Sequence, residues 1–133
     1  MGQLIADAKT GFACGERDPK GAVQLRMNNV TNKGGMDWSS FIRVPVTPEL
    51  IERYHLEKGD VLFNNTNSVE LVGKTAYFEG YVEPVVFSNH FTRLRPKKEL
   101  MESRFFAYWV FQQWKQGVFE RICNRWIGQA AVK

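Results

Sequence analysis

The sequence predicts an α+β fold: a twisted, mostly antiparallel, β-rich body with a short helix before its central strands and helices towards the C-terminus. Three observations lead there. Residues 60–64, 74–79 and 82–88 are short apolar runs punctuated by Gly80 and Pro84, which is strand rather than helix spacing. Thr47-Pro48-Glu49 places an N-cap, a first-turn proline and an acid in the order that starts a helix. Residues 98–116 then hold no proline and many aromatics at helical intervals.

Taken in order, the first forty residues are broken by Gly11, Gly15, Gly21, Gly34 and Gly35. Between them "AVQLRMNNV", residues 22–30, alternates apolar and polar well enough for a strand. Residues 37–46 end in a second candidate strand closed by Pro45. Leu50, Ile51, Tyr54 and Leu56 then form one apolar stripe, so the short helix runs from residue 48 to about 57, and Gly59 ends it. After the run at 60–64 come five polar residues, Asn64, Asn65, Thr66, Asn67 and Ser68, which hydrogen-bond readily to their own backbone and predict a loop. Residues 90–95 alternate again and Pro96 stops them. The long helix has apolar residues at 101, 105, 108, 109, 111, 114 and 118, a face so wide that the sheet or another chain must cover it. Gly117 interrupts it, and residues 118–126 read as a second helical piece.

A chain of 133 residues with 44% hydrophobic and 24% charged residues fits one soluble domain. The net charge of +4 is unevenly placed: residues 1–60 carry eight basic and eight acidic side chains, residues 61–133 ten and six. That asymmetry suits a polyanionic partner. Cys14 and Cys123 lie far apart, and neither they nor His55 and His90 have metal-ligand spacing, so no metal site is expected and the cysteines read as reduced thiols of a cytoplasmic protein. The first residues lack the basic start and apolar core of a signal peptide, and no apolar run approaches the ~20 residues of a membrane helix, so no membrane partner is expected. Walker, GxGxxG, GxSxG, HExxH and Cys-x-x-Cys motifs are all missing, which argues against catalysis by this chain.

Two patterns bear on binding, and each has a plain structural alternative. The amide run is either an Asx-type turn or a recognition loop, since amide side chains pair bidentately with adenine in the major groove. Asn28 and Asn29, following Arg26, pose the same choice. Arg93, Arg95, Lys97 and Lys98 put four cations in six residues, either as solvated surface or as phosphate ligands, with 93 and 95 on one strand face.

The ordered set resembles a known family. "VQLRMNNV", a short helix, "LEKGDVLFNNTNSVELVGKTAYF", "NHFTRLRP", the aromatic helix "FFAYWVFQQW" and "GQAAVK" are similar in order to the target-recognition domain of specificity (S) subunits of type I restriction-modification systems. The resemblance runs from about Leu4 to Lys133. It rests on Arg26 with Asn29, Gly59-Asp60-Val61-Leu62, the polar run from Asn64 to Ser68, and Arg93-Leu94-Arg95-Pro96. It implies a non-catalytic reader of double-stranded DNA that recognises one half of a bipartite site. It directs a separate adenine methyltransferase (M) subunit to that half-site. S-adenosylmethionine and the catalytic Asn-Pro-Pro-aromatic motif are expected on that subunit, with no cofactor in this chain. M subunits, and the restriction (R) subunit, are the implied partners, with a homodimer if the chain is a half-subunit. A full S subunit carries two such domains and long helices, so the chain reads as a half-subunit, a truncated product or an excised domain.

On this reading residues 1–96 are the β-rich recognition region, and residues 97–133 a helical region packing on it and leading towards the conserved helix, all in one structural domain. The candidate DNA-binding residues are Arg26, Asn28, Asn29, Lys33, Asn64, Asn65, Thr66, Asn67, Ser68, Lys74, Arg93, Arg95, Lys97 and Lys98. Phe105, Tyr108, Trp109, Phe111 and Trp114 are the candidate protein interface. The rival readings are an interaction module that uses the aromatic helix, and the recognition part of a fused restriction-methylation enzyme.

Overall fold

Charged side chains on one strand organise the architecture. A computed structural model describes residues 5–67, 71–97, 102–122, 124–126 and 129–131. The elements run β1 (Ile5–Thr10), β2 (Ala22–Leu25), a single 3-10 turn (Met27–Asn29), β3 (Ile42–Val44), α1 (Pro48–Tyr54) and β4 (Val61–Asn64). They continue with β5 (Thr66–Asn67), β6 (Thr75–Tyr77), β7 (Val85–Phe87), β8 (Phe91–Pro96), α2 (Ser103–Lys115), α3 (Val118–Ile122), β9 (Asn124–Trp126) and β10 (Gln129–Ala131). The first sheet has the order β1-β8-β4-β6, all antiparallel. A second, β3-β2-β7, pairs β2 with β7 in parallel, and a third is β5-β10-β9.

Alternation along the first sheet gives its two faces different partners. Leu62, Ala76 and Phe91 face the second sheet and join Val23, Leu25, Val85 and Phe87 in the main core. Val61, Phe63, Tyr77 and Leu94 point the other way and meet Phe106, Ala107 and Val110 of α2 together with Phe119 of α3. The layers are therefore sheet, sheet and helix. Each fully buried Val, Leu or Phe of this set contributes roughly 1.5–3 kcal/mol of transfer free energy.

Local signals account for the helices. Thr47 Oγ1 accepts from the Leu50 N–H at 3.2 Å and Pro48 occupies the first turn of α1. Glu102 Oε2 accepts from the Phe105 N–H at 2.9 Å to cap α2, and its hydrogen bonds to the Arg104 and Phe105 amides hold its carboxyl below the usual range.

Three expectations are corrected. The first strand run stops at Leu25, because Asn29 folds back onto Arg26 and makes a turn. The second helical piece ends at Ile122 and the chain returns as strand β9. Part of the expected polar loop, Thr66–Asn67, is the strand β5, since β10 supplies it with a partner. β1 itself carries no sequence signal strong enough to have been expected.

Arg93 and Arg95 project from the same face of β8. Arg93 donates to Asp7 Oδ2 at 2.7 Å and to the His55 carbonyl at 2.8 Å. Arg95 makes a bidentate pair with Asp60, Nε to Oδ1 at 2.7 Å and Nη2 to Oδ2 at 3.1 Å, and also donates to the His55 carbonyl. Hydrogen bonding to Asp60 raises the pKa of Arg95 further. The carbonyls left open at the end of α1 thus receive cationic donors. Arg95→Leu should lower unfolding free energy by about 3 kcal/mol in urea titrations, because buried Asp60 would lose its counter-charge. Lys97→Ala should stay within about 0.5 kcal/mol.

Candidate nucleic-acid interface

Strand order brings three polar segments to one end of the protein. β2 and β7 run parallel and finish together, where the Ser88 N–H donates to the Leu25 carbonyl at 3.0 Å. β4 exits beside the start of β8, where the Asn65 N–H donates to the His90 carbonyl at 2.9 Å. The end of β1 joins them through the Gly11 N–H and the Phe91 carbonyl at 3.1 Å. Residues 26–29, 64–65 and 88–90 therefore meet at one end of the protein, beyond the ends of β1, β2, β4 and β7.

The asparagines on this surface divide by burial. Asn29 is buried: its Oδ1 accepts from the Arg26 N–H at 3.0 Å, and its Nδ2 donates to the carbonyls of Asp37 (3.0 Å) and Ser40 (2.7 Å). It holds the turn and the following loop. Asn64 is buried in β4; its backbone N–H donates to the Lys74 carbonyl at 3.0 Å and its carbonyl accepts from Gly73 at 2.7 Å. Asn65 is half-buried and its Nδ2 donates to Thr92 Oγ1 at 2.9 Å. Asn28 and Arg26 are exposed. Thr66 and Asn67 pair through their backbones with Ala131 and Ala130 of β10, while Ser68 lies outside the described residues.

The basic candidates part company. Strand alternation did place 93 and 95 on one face, but that face is turned towards Asp7, Asp60 and the end of α1. Arg93 keeps only 4% of its surface exposed and pairs with Asp7, while the Arg95 side chain, 26% exposed, pairs with Asp60, so both guanidiniums are engaged by carboxylates of the fold. Lys97 is half-buried and follows β8, about 20 Å along the strand from Phe91. Lys98 lies outside the described residues. Lys74, cross-strand from Asn64, is buried, and desolvation lowers its pKa. Lys33 is exposed and borders a cleft of about 190 Å³ with Tyr77, Arg104, Tyr108 and Phe111.

The aromatic candidates also divide. Phe105, Tyr108 and Trp109 are 59%, 62% and 41% exposed and lie on the outer face of α2. Phe111 and Trp114 are half-buried against one another, with ring centroids 5.6 Å apart. Sequence reasoning missed exposed Asn89, although Ser88-Asn89 between two apolar runs is the same kind of signal as the amide run. Among the described residues, no group of His, Cys, Asp and Glu is arranged to hold a metal, and no helix is long and apolar enough to cross a membrane.

Residues 15–126 match the family model for the type I restriction modification DNA specificity domain. The chain belongs to this family. The chain is also similar to a relative from Methanocaldococcus jannaschii, named as a type I restriction enzyme specificity subunit, MjaX. The two are 31% identical over 87 residues, which is 65% of this chain and 20% of the relative. This specificity domain thus matches about a fifth of that protein's length.

Scaffolding and surface roles for neighbouring asparagines are separable by stability. Asn29→Ala should cost about 2 kcal/mol in chemical denaturation, since buried backbone groups lose partners, while Asn28→Ala should change it by less than about 0.5 kcal/mol. Lys74 makes a pH prediction. Its folded pKa lies below the ordinary 10.5, so unfolding takes up a proton between the two values and stability rises with pH across that window. Lys74→Met should flatten the rise, seen by comparing melting temperatures at about pH 8 and about pH 10.

Proposed function

We propose that this specificity domain reads one half of a bipartite site in double-stranded DNA and that the polar end carrying Arg26, Asn28, Asn65 and Asn89 does the reading. The observation that carries this is the convergence of three amide-bearing segments on one surface by strand order. Amide side chains offer a donor and an acceptor at fixed spacing, which matches adenine in the major groove. Arg26 supplies a cation beside them for a phosphate or a guanine edge. Membership of a DNA specificity family supports the same reading.

In this reading the chain recognises and a separate methyltransferase subunit, carrying S-adenosylmethionine, transfers the methyl group, with a restriction subunit acting in the same assembly. The outer face of α2 is the surface for that protein partner, because three large rings exceed what an isolated surface helix leaves in water. One half-site gives modest affinity, and joining two halves in one complex supplies the rest.

Selection from a pool of random-sequence duplexes should enrich one short sequence with the wild-type chain. Asn28→Ala should then lose about 1–3 kcal/mol of discrimination between that sequence and bulk duplex, with the salt dependence unchanged. If Arg26 meets a phosphate, Arg26→Ala should weaken both DNAs alike and reduce the log–log salt slope by about 0.9, measured by fluorescence anisotropy. Co-purification addresses the partner face: Phe105→Glu with Trp109→Glu should abolish capture of a methyltransferase subunit and leave the melting temperature near wild type. Retained capture would move the interface elsewhere.

A further inference from the structure

Between β4 and β6, Thr66, Asn67 and Gly73 each meet the C-terminal part of the chain. Thr66 and Asn67 form the two-residue strand β5, whose partner is β10: Thr66 pairs with Ala131 and Asn67 with Ala130. Two residues cannot hold an extended conformation unaided, and β10 is itself braced by β9. Gly73 has φ +87, a conformation that side chains rarely adopt. A Cβ there would overlap Cδ2, Cγ and Cβ of Phe119 from α3. The same ring meets Phe63 of β4 edge-on, with centroids 4.9 Å apart, and belongs to the core between the first sheet and α2. Gly73 donates to the Asn64 carbonyl at 2.7 Å, so what fixes Gly73 also fixes the exit of β4.

We infer that α3 and the β9–β10 hairpin form a clamp that sets the geometry of the DNA-reading segment, with Phe119 and Gly73 as positioning residues for recognition. The inference rests on the polar end being the DNA-reading surface. Phe119 touches no DNA in this scheme. It fixes the backbone at Asn64 and Gly73, next to the reading side chain of Asn65. A reading side chain displaced by about an ångström loses bidentate geometry while the surrounding charge, and hence nonspecific attraction, is unaltered.

The test uses the full chain with Phe119→Ala, the conservative Phe119→Leu, and Gly73→Ala, which attacks the same contact from the other side. Amide hydrogen exchange over residues 64–67 and 71–74, read without DNA, should accelerate about tenfold or more in Phe119→Ala and Gly73→Ala, and return towards wild type in Phe119→Leu. In duplex-pool selection the two disruptive variants should lose about tenfold in the ratio of selected to bulk sequence at an unchanged salt slope, and Phe119→Leu should recover most of it. Unchanged exchange would overturn the clamp. Faster exchange with an unchanged ratio would overturn its role in recognition. Should Phe119→Ala fail to fold, Gly73→Ala and Phe119→Leu decide by the same two readouts. A wild-type chain that enriches no sequence would refute DNA reading itself, and the exchange arm, needing no DNA, separates that failure from failure of the clamp.

Discussion

The placement of two guanidiniums under the end of a seven-residue helix governs the rest of this structure. Arg93 and Arg95 lie on the inward face of β8, where a cation is tolerated only if its donors are met. Asp7 meets one and Asp60 the other, and the His55 carbonyl at the end of α1 takes a bond from each. Asp60 in turn accepts from the Glu57 N–H at 2.7 Å, closing the turn that leads into β4. Glu57 joins the edge of this network, its carboxyl held below the usual range first by a hydrogen bond from His55 and then by Arg95. One strand therefore sets the approach of β1, the end of α1 and the beginning of β4.

With that end of the sheet fixed, register carries the constraint to the opposite end. Leu62 opposite Arg93 and Asn64 opposite Phe91 are consequences of the same antiparallel pairing. β4 must then release the chain beside the β7–β8 turn, and the parallel pairing of β2 with β7 brings Arg26 and Asn28 to the same place. Charge consumed along β8 is thus kept apart from the amide-bearing end, where Arg26 is the exposed cation.

The same residue type serves opposite ends within a few residues. Asn28 and Asn29 are adjacent, yet Asn29 spends both its polar atoms on backbone groups of its own loop while Asn28 faces solvent. Helix α2 shows a parallel division: Phe106, Ala107 and Val110 complete the core, and Phe105, Tyr108 and Trp109 stand on the far side. A composition rich in amides or rings signals that such surfaces exist and cannot say which members form them.

Local signals determined what the sequence determines by itself. Thr47 and Pro48 start α1, short apolar runs mark β4 and β7, alternation marks β8, helical spacing marks α2, and the order of these pieces marks the family, because each depends on neighbours within a turn or a strand. Tertiary structure alone decided the direction of Arg93 and Arg95, whose acids lie 86 and 35 residues away. It decided that β1 and β8 pair, that Thr66 and Asn67 become a strand on β10, and that the three amide segments meet. Nothing in a window of ten residues states which distant carboxylate will satisfy a buried cation or which distant strand will satisfy an open backbone. Those choices belong to the assembled chain, where burial requires each polar group to find its partners within the fold.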